Sequence, residues 1–263
     1  MKLLVIPDIH NNITHADNII ETEKNNYDKI IFLGDYFDNF GDTKHVVRRT
    51  AEWLKKSISF KDRVHILGNH DLPYMTQTIE DEKAKDDLFH TYCPGFTREK
   101  WQEIAKVLSI KDWEKIQLFH VEQFENGEYW LFSHAGLSRY YAGNNIDDPN
   151  LVLNKLRAAT TKINYKQRHW IYSNYGKSQG GLISEGGLLW CRISDFVGIP
   201  CLNQVFGHTP LNHPIFIGYD KVNLCLDNII GAYALIDTKN GEVDIKTDNR
   251  ALVYPTKVEN LDV

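Results

Sequence analysis

The feature that most constrains the fold is a recurring pattern in which a short apolar run stops at aspartate, asparagine or histidine. Each run is rich in β-branched or aromatic residues and ends at a glycine or a polar turn, which is typical of buried strands. The five runs are Leu3–Ile6 before Asp8 and His10, Lys29–Leu33 before Asp35, Arg63–Leu67 before Asn69, Tyr129–Ser133 before His134, and Gln204–Phe206 before His208.

The segments between the first runs have helical periodicity. Asn12–Asn26 and Thr43–Ser57 carry apolar residues at helical spacing, which predicts βαβ units with parallel strands. Ligands of such sheets gather beyond the carboxyl ends of the strands, so we expect the five polar ends to form one site. The later runs Val222–Leu226, Ala232–Ile236 and Val243–Lys246 predict an antiparallel meander in a second sheet.

Length and composition predict one packed catalytic domain over residues 1–263, an α/β fold in the mixed α+β sense. Helical patterns without ligand motifs at about 72–128 and 138–188 predict cap insertions over the site. The net charge of -5 argues against a surface built for nucleic acid or an anionic membrane. Four cysteines without Cys-x-x-Cys pairing and the lack of a secretory signal predict reduced thiols and a cytoplasmic location.

The polar strand ends have the chemistry of a metal site. Carboxylates suit hard divalent cations, and borderline cations also accept imidazole. Asp8 and His10 alternate onto one side of a strand end, and Asp35 can bridge two ions through its two oxygens. Asn69 offers a neutral amide oxygen, and His134 and His208 complete the predicted set.

These motifs in this order resemble the calcineurin-like metallophosphoesterase superfamily. The resemblance extends over roughly Met1 to Asp237, apart from the insertions. It implies a two-sheet β-sandwich flanked by helices and two divalent metal ions, manganese first, with iron, zinc, nickel or cobalt as alternatives. It also implies hydrolysis by a metal-bridging hydroxide. The motifs are Asp8-Ile9-His10, Gly34-Asp35-Tyr36-Phe37-Asp38, Gly68-Asn69-His70-Asp71, Ser133-His134-Ala135-Gly136 and Gly207-His208-Thr209.

The resemblance also implies residue roles. Asp8 and His10 would bind the first metal, Asp35 would bridge, and the second metal would take Asn69, His134 and His208. His70, oriented by Asp38, would protonate the leaving group, because a carboxylate keeps a histidine oriented and basic.

Three details resemble the protein phosphatase and symmetrical diadenosine tetraphosphatase branch. Pro210 stands where phosphodiesterase members carry a second histidine, for which His213 is a weak substitute. Leu188–Arg192 resembles the Leu-Trp-x-Arg segment of the branch, so Arg192 is the predicted phosphate clamp, or else a surface ion-pair residue. Leu224–Leu235 resembles the closing strand-turn-strand.

The chain also departs from the pattern of that branch. Asn39-Phe40 stands where the branch usually has Arg-Gly, and Asp227-Asn228-Ile229 where it has Asp-Thr-Gly. The missing arginine is a phosphate contact of the branch, so a protein substrate is in doubt while the expected chemistry is unchanged.

Residues 149–184 lack Asp and Glu but hold six basic residues, Lys166 and Arg168 among them. This basic segment predicts either a cap for a nucleotide or nucleic-acid end, with Lys166 and Arg168 binding substrate, or a solvated helix face.

The sequence therefore predicts a metal-dependent phosphoesterase. A phosphomonoester, on a protein or a small molecule, is the first substrate. A nucleotide anhydride or a nucleic-acid end is the alternative. A non-catalytic metal-binding scaffold is the alternative from another class, and the full ligand set argues against it.

Overall fold

The structure is a computed structural model that describes residues 1–83, 93–144, 146–161, 163, 169–218, 221–247 and 250–251. Within these ranges the chain forms two β-sheets with helices around them. The fold class predicted from the sequence, a two-sheet β-sandwich flanked by helices, is confirmed.

The first sheet has six strands in the order β11-β10-β9-β1-β2-β3. β1, β2 and β3 run parallel, as the βαβ pattern predicted, and β9 pairs antiparallel with the other edge of β1. The strands are β1 (Lys2–Ile6), β2 (Lys29–Phe32), β3 (Arg63–His65), β9 (Ala232–Asp237), β10 (Glu242–Thr247) and β11 (Arg250–Ala251).

The second sheet has five strands in the order β4-β5-β6-β8-β7. β5, β6 and β8 are parallel, and the edge strands β4 and β7 run antiparallel to their neighbours. The strands are β4 (Phe119–Gln123), β5 (Tyr129–Ser133), β6 (Asn203–Phe206), β7 (Ile215–Phe216) and β8 (Asn223–Cys225).

The two long helices of the first βαβ units begin at side-chain caps. The side chain of Asn12 accepts a hydrogen bond from the backbone of His15, and that of Thr43 accepts one from Val46. The helices are α1 (Ile13–Thr22), α2 (Lys44–Ser57), α3 (Leu72–Lys83), α4 (Arg98–Ala105), α5 (Ile110–Trp113), α6 (Arg139–Ala142), α7 (Pro149–Thr161) and α8 (Trp170–Ser173), with 3₁₀ turns at Lys177–Gln179 and Ile193–Asp195.

The core has two layers because both faces of the central strands are buried. Leu3 and Val5 of β1 belong to the cluster that fills the space between the sheets. Leu4 and Ile6, which alternate with them, belong to the cluster that packs against the helices. This packing fixes the strands and leaves their carboxyl ends as the place where loops from both sheets meet.

The C-terminal strands differ from the predicted meander. β8 joins the second sheet beside β6, whereas β9 and β10 join the first sheet. The strands follow one another in the sequence, but the loop between β8 and β9 crosses from one sheet to the other. The hydrophobic pattern correctly located the strands, but it contains no information about which free edge each strand takes.

The segment 72–128, predicted as a helical insertion, holds α3, α4 and α5 but also β4 and the residues that lead into β5. Its last part is therefore part of the second sheet. The segment 138–188 holds α6, α7 and α8, as its helical patterns indicated. In the described ranges no helix combines the length and apolar character that a membrane span requires.

Candidate functional site

The loops after five parallel strands bring the predicted ligands together. Asp8 follows β1, Asp35 follows β2 and Asn69 follows β3, so the first sheet supplies three of them. His134 follows β5 and His208 follows β6 of the second sheet. The site therefore lies where the carboxyl ends of both sheets converge.

The backbone at this place is unusual. Four candidate site residues have a positive φ angle although they are not glycine: His10 at 42°, Asp35 at 47°, Asp38 at 66° and His208 at 68°. The left-handed region costs a non-glycine residue on the order of 1 kcal/mol, and such residues cluster at functional sites. The sharp turns direct these side chains into the site, and the backbone strain is the free-energy cost of that arrangement.

Two glycines let carboxylates approach the neighbouring backbone closely. A Cβ atom on Gly68 would lie 2.0 Å from Oδ1 of Asp35, and one on Gly207 would lie 2.0 Å from Oδ1 of Asp8. Backbone amides then hold the carboxylates, because His70 N donates to Asp35 Oδ1 at 2.8 Å and His208 N donates to Asp8 Oδ2 at 3.1 Å. Any larger residue at either glycine would displace a candidate ligand.

One group of candidate ligands is buried and contains Asp35, His134 and His208, whose ligand atoms all lie within 4.8 Å of one another. The amide oxygen Oδ1 of Asn69 joins it, 2.7 Å from Nε2 of His134 and 2.8 Å from Nδ1 of His208. The two histidine nitrogens are 3.2 Å apart. Several lone-pair atoms thus converge on one point.

A second group contains Asp8, His10 and Asp35, also within 4.8 Å of one another. Nδ1 of His10 donates to the carbonyl oxygen of Asp38 at 2.8 Å, which leaves Nε2 facing Asp35 Oδ2 at 3.8 Å. A histidine whose other ring nitrogen is held by a carbonyl is oriented as metal-binding histidines usually are. Asp35 belongs to both groups.

The electrostatics of the first group fit a divalent cation. Burial lowers the pKa of both His134 and His208, which favours the neutral form of each ring and hence a lone pair for a cation. Burial opposes ionisation of Asp35, but His134, His70, His10 and His208 outweigh it and lower its pKa to about 2. An ionised carboxylate, two neutral imidazoles and an amide oxygen are a donor set that borderline cations accept.

His70 lies beside these groups and is oriented by Asp38. Its Nδ1 is 3.2 Å from Oδ2 of Asp38. Burial lowers the pKa of His70, but the opposing effects of Asp35 and of the hydrogen bond to Asp38 are larger and raise it to about 12. The two carboxylates therefore favour the protonated form of the ring.

Asp38 is itself held by two residues that the sequence analysis did not identify. Tyr74 OH donates to Asp38 Oδ1 at 2.6 Å, and Lys100 Nζ lies 3.0 Å from the same oxygen and 2.8 Å from Oδ1 of Asp42. Tyr74 and Lys100 come from α3 and α4, more than 30 residues along the chain. No local sequence signal could have paired them with Asp38.

A cavity of about 970 Å³ opens over both groups of candidate ligands. Arg192 and Trp190 line it together with Asp8, His10 and His70. Within the described part of the chain Arg192 forms no ion pair, so its guanidinium is available to an anion in the cavity. Pro94 and Gln179, one from each predicted insertion, also line the cavity.

Two further residues of the site were missed. Asp227 comes two residues after β8 and lines the cavity, where burial and nearby Asp35 raise its pKa to about 6. The sequence did contain a signal for it, since Asp227 also follows a short apolar run. Cys93 is buried and accepts a hydrogen bond from Nδ2 of Asn69 at 3.3 Å, which no motif indicates.

Not every predicted residue reaches the site. His213 is exposed and does not line the cavity, so it does not substitute for the histidine that Pro210 replaces. Lys166 and Arg168 lie outside the described residues.

The sequence profile of the calcineurin-like phosphoesterase family matches residues 1–211. No curated protein gives a significant match. Among solved structures, a provisionally assigned diadenosine tetraphosphatase superposes with a TM-score of 0.51 at 15% identity, covering 94% of this chain and 93% of that one. A protein serine/threonine phosphatase from Saccharomyces cerevisiae with similarity to human PP5 gives 0.50 at 14% identity, covering 97% and 82%.

At these identities the two structures support the fold alone, whereas the profile covers most of the chain. The converging aspartates and histidines are the residue types that a metal-dependent member requires. The chain therefore belongs to the calcineurin-like phosphoesterase family, whose members hydrolyse phosphoester bonds with the help of metal ions.

Proposed function

We propose that the protein is a phosphatase that hydrolyses phosphomonoesters, on a protein or a small molecule, with two divalent ions. Asp8, His10 and Asp35 would hold the first ion, and Asp35, Asn69, His134 and His208 the second. The observation that carries the proposal is that Asp35 belongs to both groups of candidate ligands. The mixed carboxylate, amide and imidazole donors suit several divalent cations. The family resemblance puts manganese first, with iron, zinc, nickel and cobalt as alternatives.

The residues around the two groups of candidate ligands carry out the other steps of the reaction. When bound, the ions would supply Lewis-acid activation of the phosphoryl group and of water. Arg192 binds the phosphate oxygens with its planar fork of donors. His70 donates a proton to the leaving oxygen, and Asp38 keeps the ring oriented for that transfer. Pro94 and Gln179 line the cavity, one from each insertion. This supports a role of the two insertions as caps within a single catalytic domain.

A nucleotide anhydride is the second candidate substrate. A cavity of 970 Å³ is larger than a phosphate group requires and is of the size that holds a whole organic ligand. The fold shared with a provisionally assigned diadenosine tetraphosphatase is compatible with this reading. A nucleic-acid end remains the third candidate and depends on the basic segment. A cytoplasmic location, which the free cysteines support, completes the proposal.

The test is manganese-supplemented hydrolysis of a substrate panel: p-nitrophenyl phosphate, bis-p-nitrophenyl phosphate, diadenosine tetraphosphate, a phosphopeptide and a 5′-phosphorylated oligonucleotide. His70→Asn removes the proposed proton donor, and His213→Asn is the matched exposed control. We expect monoester turnover that falls by about 10²–10⁴-fold in His70→Asn and is unchanged in His213→Asn. Preference for the diester would refute the monoester assignment. Two bound metals without any turnover would favour the scaffold reading.

A further inference from the structure

The loops that border the cavity present large apolar side chains to solvent. Phe40, Leu182 and Ile229 are the three most exposed large hydrophobic residues in the described part of the chain, at 106%, 104% and 73%. Ile229 lines the cavity directly. Phe40 follows the lining residue Asn39, and Leu182 comes three residues after Gln179, which also lines it. We call Phe40, Leu182 and Ile229 the apolar rim.

Hydrogen bonds and an ion pair of Asp42 anchor the loop of Phe40 on its buried side, so the exposure of the ring does not result from an unanchored loop. Oδ2 of Asp42 accepts hydrogen bonds from Asn11 Nδ2 at 3.1 Å and from the backbone of Asn39 at 3.3 Å. Lys100 holds the other oxygen of Asp42 at 2.8 Å. The buried end of the loop is fixed, and the fixed loop directs Phe40 outward.

The loop of Ile229 is anchored in the same way by Asn228. The side-chain oxygen of Asn228 accepts from the backbones of Ile230 and Ala232, at 3.1 and 2.8 Å, and its amide nitrogen donates to Leu226 O at 2.6 Å. The backbone of Ile229 donates to Leu211 O at 2.9 Å. Two separately anchored loops therefore place apolar groups beside one cavity.

Both positions coincide with departures from the family pattern noted in the sequence. Asn39-Phe40 replaces the Arg-Gly pair, and Asn228-Ile229 replaces Thr-Gly. At the first position the exchange removes a cation and adds an aromatic ring, and at the second it adds a branched aliphatic chain. An apolar side chain that is exposed at a binding cavity can contact a ligand that enters the cavity.

We propose that the apolar rim binds an aromatic or similarly planar apolar group on the alcohol side of the phosphoester. This inference rests on the proposed phosphatase function, because it assigns the part of the substrate that lies outside the metal groups. The position of Ile229 in the cavity lining carries it, together with Phe40 directly after the lining residue Asn39: the phosphate lies at the candidate ligands and Arg192, and the organic group extends toward Ile229.

The experiment compares p-nitrophenyl phosphate with glycerol 2-phosphate in Phe40→Ala and Ile229→Ala, and measures inhibition by inorganic phosphate in each. Phe60→Ala is the matched control, since Phe60 is 41% exposed and precedes β3, at the opposite end of the sheet from the site. We expect KM for the aryl substrate to rise about five- to tenfold in both rim variants, because aromatic and apolar contacts are lost. We expect kcat, the glycerol phosphate KM and phosphate inhibition to change less than about twofold.

An equal rise in KM for both substrates would overturn the inference, because it would mean that the variants disturb the site itself. An unchanged aryl KM would also overturn it, because the apolar rim would then make no contact with the organic group of the substrate. In both cases wild-type turnover would leave the proposed phosphatase function intact. If the wild-type protein hydrolysed no monoester at all, the proposed function would fail and the inference with it.

Discussion

Lys100→Met tests whether the cation between Asp38 and Asp42 is essential to the site's architecture. The side chains of Lys100, Asp38 and Asp42 are 14%, 3% and 5% exposed, and the nitrogen lies within 3.0 Å of both carboxylates. It also donates to Gly95 O at 2.9 Å. Methionine replaces the apolar stem of the lysine as far as Cε and removes the ammonium group with its charge and hydrogen bonds.

Breaking a buried ion pair typically costs about 3–5 kcal/mol because a charge is left without compensation. Asp38 keeps His70 and Tyr74 as partners, and Asp42 keeps Asn11, so we expect the lower part of the range. A loss of about 3 kcal/mol corresponds to a fall in Tm of roughly 6–12 °C for a domain of this size.

The assay is thermal denaturation at pH 7, with urea denaturation as a second measure of the free energy of unfolding. Lys106→Met is the control, because Lys106 is 56% exposed and its pair with Glu103 contributes little. Adding Asp42→Asn to Lys100→Met should restore part of the loss, since it removes the uncompensated charge. The carboxylates raise the pKa of Lys100, so its contribution is complete below pH 10.5 and is lost only as pH rises through the higher folded value. A Tm within about 1 °C of wild type would refute the reasoning.

Three further predictions concern the metal groups and the sheet edge. Cys93→Ala should weaken binding of the second ion about 10- to 100-fold by calorimetry, because the thiol orients the amide of Asn69, and Cys93→Ser should retain most of it. Glu122→Gln should destabilise the protein above pH 4.5, because His120 and Lys29 lower the pKa of Glu122 to about 2. Urea denaturation should show that the stability difference from wild type vanishes as pH falls from 4.5 to 2. Chelation should lower Tm, since ions at 100 times their Kd stabilise by about 2.7 kcal/mol.

Each of these three predictions has an outcome that would contradict it. Equal loss of metal affinity in Cys93→Ala and Cys93→Ser would mean that the thiol acts through packing alone. A constant stability difference between wild type and Glu122→Gln from pH 6 to pH 2 would mean that the carboxylate is not the group that titrates. A Tm that does not respond to chelation and to added manganese would contradict the assignment of the metal ligands.

The candidate ligands could be predicted from the sequence because each follows a strand whose apolar pattern is local. Asp8, Asp35 and His134 lie within three residues of the ends of β1, β2 and β5, and parallel strands bring such ends to one edge. Only the chemistry of the residue types and the spacing along each strand were needed for that inference.

The residues that support the site could not be predicted in this way. Lys100 of α4, a helix that packs against α2 and α3, reaches Asp38 over a separation of 62 residues, and Cys93 reaches Asn69 over 24. The sheet to which β9 belongs was also not determined by its pattern, because all but the last of its residues are buried and no face is marked as outward.

The positive φ angles at His10, Asp35, Asp38 and His208 have a consequence for how the protein would respond to selection. Glycine would relieve the backbone at each of these positions. At Asp38, however, it would take a buried carboxylate partner from Lys100 and His70, and at Asp35 it would remove a carboxylate that the surrounding histidines favour in its charged form. A directed-evolution screen for heat resistance of the metal-free protein would therefore be expected to accumulate glycine at His10 and His208 and to lose hydrolysis as it did so. At this edge of the sheets, thermostability and turnover are opposing traits.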